Sequence, residues 1–273
     1  MDQLDRLILS AIREDMPEGD ITTDALFTDE TSTARFIAKE AGVISGLDVA
    51  ARVFAIVDPA VEFTPSVSAG ATVGKGDVIA VVTGQTASLL KAERIALNFL
   101  QRLSGIATKT AAFVATVAGT KTVILDTRKT TPTLRFLEKK AVADGGGMNH
   151  RLSLSDMAMI KDNHIRAAGS ITAAVATVRR QIPAGIRIEV EVESTTQFLE
   201  AVATAADVIM LDNMDLSTMT ECVRLNAGRK RLEASGNMTI ERVRDVARCG
   251  VDYISVGALT HSFAALDISL KFQ

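Results

Sequence analysis

Four short runs, IRIEVEV (186–192), DVIML (207–211), RLEAS (231–235) and DYISV (252–256), are each followed by a stretch long enough for one helix. Two more, TVILD (122–126) and MAMIK (157–161), precede them, so that successive runs start 35, 29, 21, 24 and 21 residues apart. β-branched runs alternating with helical segments call for parallel strands joined by helical crossovers. Spacing alone does not separate an open sheet from a closed one, but the ends of the runs are informative. Nearly every run passes directly into polar residues or glycine: Asp126-Thr127-Arg128-Lys129, Lys161-Asp162-Asn163, Glu191 and Glu193, Asp212-Asn213, Ser235-Gly236-Asn237 and Gly257. In a (β/α) barrel all these ends meet on one rim, where ligands bind. A doubly wound sheet would gather only two or three of them at its switch point. The segment 120–258 is well short of the roughly 250 residues of a full eight-unit barrel, so six or seven strands are expected.

Upstream the periodicities differ. Leu4, Leu7, Ile8 and Ile12 recur at helical spacing, and Leu47 to Val57 reads as an amphipathic helix. A turn at Pro17 to Asp20 leads into a polar loop, ITTDALF. TARFIAK (33–39) alternates like a strand, and VEFTPSV reads as a strand broken at Pro65. SAGATVGKGDVIAVVTG, with glycines at 70, 74, 76 and 84, reads as a hairpin or meander. It resembles a lipoyl-type hairpin, but Lys75 lacks an attachment context. Thr86 to Val117 is helical, with one break expected at Ser104-Gly105. The closing ALDISLKF reads as a strand returning to the first domain.

Composition narrows the function classes. Of 273 residues 47% are hydrophobic and 23% charged, and the net charge is −3. No basic face for nucleic acid is implied, nor any run of roughly 20 apolar residues that would span a membrane. The opening 20 residues lack a secretory pattern. Two cysteines in apolar-periodic segments, Cys222 and Cys249, argue against a disulfide framework and for a reducing cytoplasm. With three His as well, a zinc cage has little to work with.

Local charge departs from this balance. From Arg128 to Lys161 seven Lys or Arg face three acids, a net of +4. In DTRKTTPTLR (126–135) a strand delivers Arg128 and Lys129, with Pro132 at a helix start behind Thr130 and Thr131 as N-caps. Paired cations beside a helix N-terminus make an anion site. Lys139 and Lys140 read as a solvated helix face. In GGGMNHRLSLSDMAMIKDNHI (145–165), three glycines form a close-approach turn or a flexible one, and His150-Arg151 follow at once. Lys161 ends a strand, as a Schiff-base nucleophile or as a point charge for an anion. His164 is open between structural and functional roles. Glu189, Glu191 and Glu193 share one strand face, and buried carboxylates there need cationic or metal partners. With Asp212 they suit magnesium or ribose hydroxyls, against a reading as salt bridges within the barrel. EASGNM (233–238) and SVGAL (255–259) offer backbone amides for a phosphate. Taken together these residues describe a barrel enzyme for a multiply anionic, phosphorylated ligand. The usual phosphoribosyltransferase loop, paired acids followed by a Thr/Gly turn, is absent.

The strings EGDITTDAL, AERIALNFLQRLSGIAT, DTRKTTPTLRFLEKKAV, GGGMNHRLSLSDMAMIKDNHI, EVEVE, IMLDNM, LEASGN and DYISVGALTHS occur in the order seen in the quinolinate phosphoribosyltransferase family, which this chain closely resembles from about residue 14 to its end. The resemblance implies an α/β protein with an N-terminal α/β sandwich, residues 1–107 plus 263–273, and a C-terminal open α/β barrel, residues 108–262. It implies phosphoribosyl transfer from phosphoribosyl pyrophosphate to quinolinate with decarboxylation, giving nicotinate mononucleotide, carbon dioxide and pyrophosphate. It also implies a cytoplasmic homodimer with magnesium, no organic cofactor, and active sites shared between subunits. Arg102 would reach the neighbouring subunit's quinolinate. Arg128, His150 and Arg151 would hold quinolinate, with Lys129 and Lys161 between it and the phosphoribosyl group, and Thr127 would be a further substrate-binding residue. Glu191 and Asp212 would stand near the ribose hydroxyls and magnesium. Ser235, Gly236 and Asn237, with Val256, Gly257 and Ala258, would hold the 5′-phosphate. Lys129, Lys161, Glu191 and Asp212 are the implied catalytic set. Two departures stand out: the family often has Gly where Thr133 and Asn237 stand. Alternatives are a family paralogue using another acceptor, which the Arg128, His150, Arg151 and Lys161 set argues against, a Schiff-base barrel aldolase through Lys161, and a non-catalytic sensor.

Overall fold

The computed structural model describes residues 2–273. In chain order the elements are α1 (Gln3–Asp15), α2 (Ile21–Leu26), β1 (Thr31–Ala38), β2 (Gly42–Val43), α3 (Leu47–Val57), β3 (Glu62–Pro65), β4 (Thr72–Val73), β5 (Val78–Gln85) and α4 (Thr86–Thr116). Then follow β6 (Val123–Leu125), α5 (Arg135–Asp144), β7 (Ala158–Ile160), α6 (Asp162–Ala168), α7 (Ile171–Gln181), β8 (Ile188–Val192) and α8 (Thr195–Val202). The chain closes with β9 (Val208–Asp212), α9 (Leu216–Asn226), β10 (Arg231–Ser235), α10 (Ile240–Arg248), β11 (Tyr253–Ser255), α11 (Ala258–His261) and β12 (Ile268–Phe272). Two compact units result. One holds the residues up to Lys109 with Ala143–Gly146 and Phe263–Gln273; the other holds Thr110–Val142 and Gly147–Ser262.

The first unit is an antiparallel sheet, ordered β12-β1-β5-β3, covered by helices. Its core is anchored by Phe36 on β1, Phe54 on α3 and Phe63 on β3, whose ring centroids lie 5.8 to 6.0 Å apart. Three local expectations are corrected here. The loop after Asp20 is the helix α2, because the Asp20 carboxylate accepts the amides of Thr22 and Thr23 and caps it. The glycine-rich stretch is not a hairpin: β4 pairs with β2, while β5 inserts between β1 and β3. And α4 runs unbroken through Ser104-Gly105. A β-carbon on Gly105 would fall 2.1 Å from the carbonyl oxygen of Ala264, so this glycine permits close packing of a continuous helix.

The second unit carries six parallel strands in the order β6-β11-β10-β9-β8-β7. Strands β6 and β7 do not pair, so the barrel is open between them. A single parallel bridge, Leu125 to Met148, is all that a seventh strand contributes beside β6. Side chains alternate as a barrel requires. Ile188, Val190 and Val192 of β8, Ile209 and Leu211 of β9, and Leu232 and Ala234 of β10 are buried. The alternate positions, Glu189 and Glu191, Met210 and Asp212, Glu233 and Ser235, line cavities inside the barrel. One expectation fails at the exit of β6. The helix starts at Arg135 and not at Pro132, because residues 131–134 form a turn in which Leu134 N–H donates to the Thr131 carbonyl. Thr133 there adopts φ 70°.

Candidate active site

The C-terminal strand ends enclose a cavity of about 560 Å³. Its walls include Thr127, Arg128 and Lys129 after β6, His150 and Arg151, Lys161 after β7, Glu191 of β8, Asp212 of β9, and Ser235, Gly236 and Asn237 after β10. The segments from 126 to 161 and the later strand ends thus meet. Met159, Met210, Asn213 and Ser255 complete the wall.

The cations are held in place from behind. Arg151 donates to the Met157 carbonyl at 3.0 Å. Burial lowers its pKa, and the neighbouring positive charge of Arg128 lowers it further. The Nε of Arg128 is buried without a hydrogen-bond partner among the described residues. Two guanidinium groups crowded in this way make a site suited to an anion. Lys161 donates to Glu191 Oε2 at 2.8 Å, which presents it as a paired point charge. Its neighbour His164 has a structural role: Nδ1 accepts the Lys161 amide at 3.0 Å and caps α6.

His150 faces two ways. It borders the cavity, while its Nε2 lies 3.0 Å from Glu189 Oε2 and 3.4 Å from Glu233 Oε2, inside the barrel. Burial opposes its charge, but the two carboxylates outweigh that and push its pKa up to about 9. Burial raises Glu189 to about 7, and the Glu233 charge adds to this. The three donor atoms lie within 4.8 Å of one another. His150 Nδ1 already accepts the Arg151 amide at 2.7 Å, however, so Nε2 keeps a proton in either charge state and is not offered to a metal. Glu233 also accepts a short hydrogen bond from Ser255. Glu189 meets a histidine, not the Lys or Arg partner considered for it, and Glu193 is exposed.

Lys139 requires a correction. It is not solvated but 2% exposed, ion-paired with Asp126, which is fully buried. Helical spacing could not show this, because the partner lies at a strand end. Asp126 and Glu233 had no distinguishing pattern in the sequence; a carboxylate in an otherwise apolar run was the only signal.

The phosphate-cup residues divide. Gly236 has φ 97°, and a β-carbon there would lie 2.2 Å from Asn213 Oδ1, so glycine is required. Asn237 takes φ 47°, a left-handed geometry that Asn tolerates. Asp212 accepts from Asn213 Nδ2 at 2.7 Å. Gly257 and Ala258 begin α11, where amides have no intrahelical partner. Val256, by contrast, is buried and its amide already donates to the Leu125 carbonyl, so it has no donor for a ligand. Arg102 lies in the other unit, on α4, with its guanidinium 4.8 Å from the Phe263 ring centroid.

An open α/β barrel with clustered Arg and Lys, two carboxylates and glycine turns on one rim defines an enzyme class that handles small molecules bearing several negative charges. The chain belongs to the quinolinate phosphoribosyltransferase family. The family's N-terminal domain model matches residues 20–104, and its C-terminal domain model matches residues 106–271. A probable carboxylating nicotinate-nucleotide pyrophosphorylase of Synechocystis is 46% identical, over 95% of this chain and 89% of its own length. Its counterpart in Bacillus subtilis is 43% identical, over 98% and 93%. Among solved structures, NadC from Streptococcus pyogenes superposes with TM-score 0.95 at 44% identity, covering 99% of this chain and 97% of that one. The nicotinate-nucleotide pyrophosphorylase from Francisella tularensis gives 0.97 at 39%, covering 100% and 96%.

Proposed function

We propose that this barrel mouth joins quinolinate to the phosphoribosyl group of phosphoribosyl pyrophosphate, releasing pyrophosphate and carbon dioxide and forming nicotinate mononucleotide for NAD biosynthesis. The observation that carries the reading is the crowding of Arg128 and Arg151, with an unpartnered buried Nε, in a cavity also lined by Lys129 and Lys161. Quinolinate supplies two carboxylates to such a cluster, and the second substrate supplies phosphates.

In this reading Thr127, Arg128, His150 and Arg151 hold the pyridine diacid. Lys129 and Lys161 lie between it and the sugar, and Ser235 to Asn237 with Gly257 and Ala258 hold the 5′-phosphate. The pyridine nitrogen forms a bond to the anomeric carbon as the bond from that carbon to the pyrophosphate oxygen breaks. Positive charge develops on the ribose, and Glu191 and Asp212 favour it electrostatically. The bond to the 2-carboxylate then breaks, its electron pair remains on the ring carbon beside the pyridinium nitrogen, and that carbon takes a proton. No side chain has to be a nucleophile, so positioning and electrostatics dominate.

Glu191 and Asp212, carboxylates on neighbouring strands, fit a hard divalent cation that takes its remaining oxygens from water and phosphates. Magnesium bound there would neutralise the departing pyrophosphate. The proposal includes a cytoplasmic homodimer in which Arg102 reaches the neighbouring subunit's site. No described helix is long and apolar enough to cross a membrane. Incubating the protein with quinolinate, phosphoribosyl pyrophosphate and magnesium should yield nicotinate mononucleotide and one carbon dioxide per turnover; no product at any magnesium concentration overturns the reading.

A further inference from the structure

Behind the cation cluster lies a buried pair outside the proposed substrate set. Asp126 is fully buried and Lys139 is 2% exposed; the Lys139 ammonium donates to the Asp126 carboxylate. Both groups also hold the backbone of His150, one through the peptide before it and one through the peptide after it. Asp126 Oδ1 accepts the His150 amide at 2.9 Å, and Lys139 Nζ donates to the His150 carbonyl at 3.0 Å. His150 stands in a stretch, residues 149–156, without helix or strand, and the last ladder contact before it is the bridge at Met148. Asp126 follows β6 directly and precedes Thr127-Arg128-Lys129. The pair therefore ties the two cationic arms of the cavity to each other, the one after β6 and the one at His150-Arg151.

We propose that Lys139 and Asp126 are positioning residues for the pyridine diacid, clamping His150 from both ends of its backbone so that Arg151 is presented beside Arg128. The pair touches no substrate itself. Burying two charges brings little net stability, since desolvation offsets their attraction, and apolar or neutral replacements of a whole pair are often tolerated. What this pair supplies that an apolar one would not is a fixed donor and acceptor for the His150 backbone. The role rests on the quinolinate reading above; the clamp itself does not.

The test separates the two. In the wild-type protein the His150 amide should exchange with solvent as slowly as buried strand amides; rapid exchange overturns the clamp. Lys139→Met alone takes the ammonium away from a buried carboxylate and should unfold readily. Adding Asp126→Asn removes the second charge and should restore the melting temperature. In that double variant the amides of residues 149–152 should exchange about tenfold faster or more. The KM for quinolinate should rise by about tenfold or more, while the KM for phosphoribosyl pyrophosphate stays near its wild-type value. A refolded double variant with wild-type quinolinate KM overturns the positioning role. If the wild-type protein does not turn over quinolinate at all, the functional reading fails, and the exchange measurements still decide the clamp.

Discussion

Two residues test opposite uses of local geometry. Arg128 carries a buried Nε with no described partner and lies beside the Arg151 charge, which suits it to an anionic ligand. Arg128→Ala should weaken quinolinate binding by about 1.5–3 kcal/mol, the worth of a charged hydrogen-bonded contact. Titration calorimetry with quinolinate reads this directly, and an unchanged affinity removes Arg128 from the pocket. Thr133 carries strain: it is a β-branched residue at φ 70°. A non-Gly residue held there costs on the order of 1–3 kcal/mol, and Gly returns roughly 0.5–1 kcal/mol of that as chain entropy. Thr133→Gly should therefore stabilise by about 1 kcal/mol, seen as a higher urea midpoint with unchanged slope. A lower midpoint would show that the turn is not strained.

Elements were legible wherever burial on one or both faces dictates a period. Five of the six barrel strands lie within the short runs, β9 passes its run by one residue at Asp212, and α3 spans Leu47–Val57 as its periodicity requires. Illegible features depend on partners distant in sequence. Asp20 capping α2 was hidden because a polar helix of six residues has no apolar stripe to read. The pairing of β4 with β2 rather than β5 follows from contacts across the chain, which local turn glycines cannot specify. The cation cluster was legible because its members stand at strand ends; Lys139 was misread because its partner, Asp126, is thirteen residues back across a turn. Gly105 shows the same limit, and it also gives a test. Ordinary helix propensity says Gly→Ala should stabilise α4 by roughly 1 kcal/mol. A β-carbon 2.1 Å from the Ala264 carbonyl oxygen says the opposite, since overpacking costs about 1–3 kcal/mol or more. Gly105→Ala should lower the melting temperature, and a rise would mean that residues 264–265 yield easily.

For the whole molecule, the barrel interior sets a pH limit. His150 titrates near 9 in the folded state, against roughly 6.5 unfolded. Its pKa is raised on folding, so its contribution is fully present below about 6.5 and is lost as pH rises through 9. Glu189, raised to about 7, acts in the other window: its penalty grows as pH rises from its unfolded value towards 7 and is constant above. The alkaline limb therefore belongs to His150, and a shift of this size is worth on the order of 3 kcal/mol. Urea midpoints should fall from pH 7 to pH 10 more steeply in wild type than in His150→Gln; parallel curves would show that the imidazole is not charged in the folded protein. Assembly gives the last test. Arg102 belongs to the first unit and Lys161 to the barrel, and the proposed homodimer draws one from each subunit into every site. Arg102→Ala and Lys161→Ala dimers should each be inactive. When subunits exchange at random, half the dimers become hybrids. In a two-fold dimer each hybrid has one site lacking both side chains and one site with both intact, so about a quarter of wild-type activity should return. Tagged subunits verify the exchange, and hybrids with no activity would place Arg102 and Lys161 of one site on the same chain.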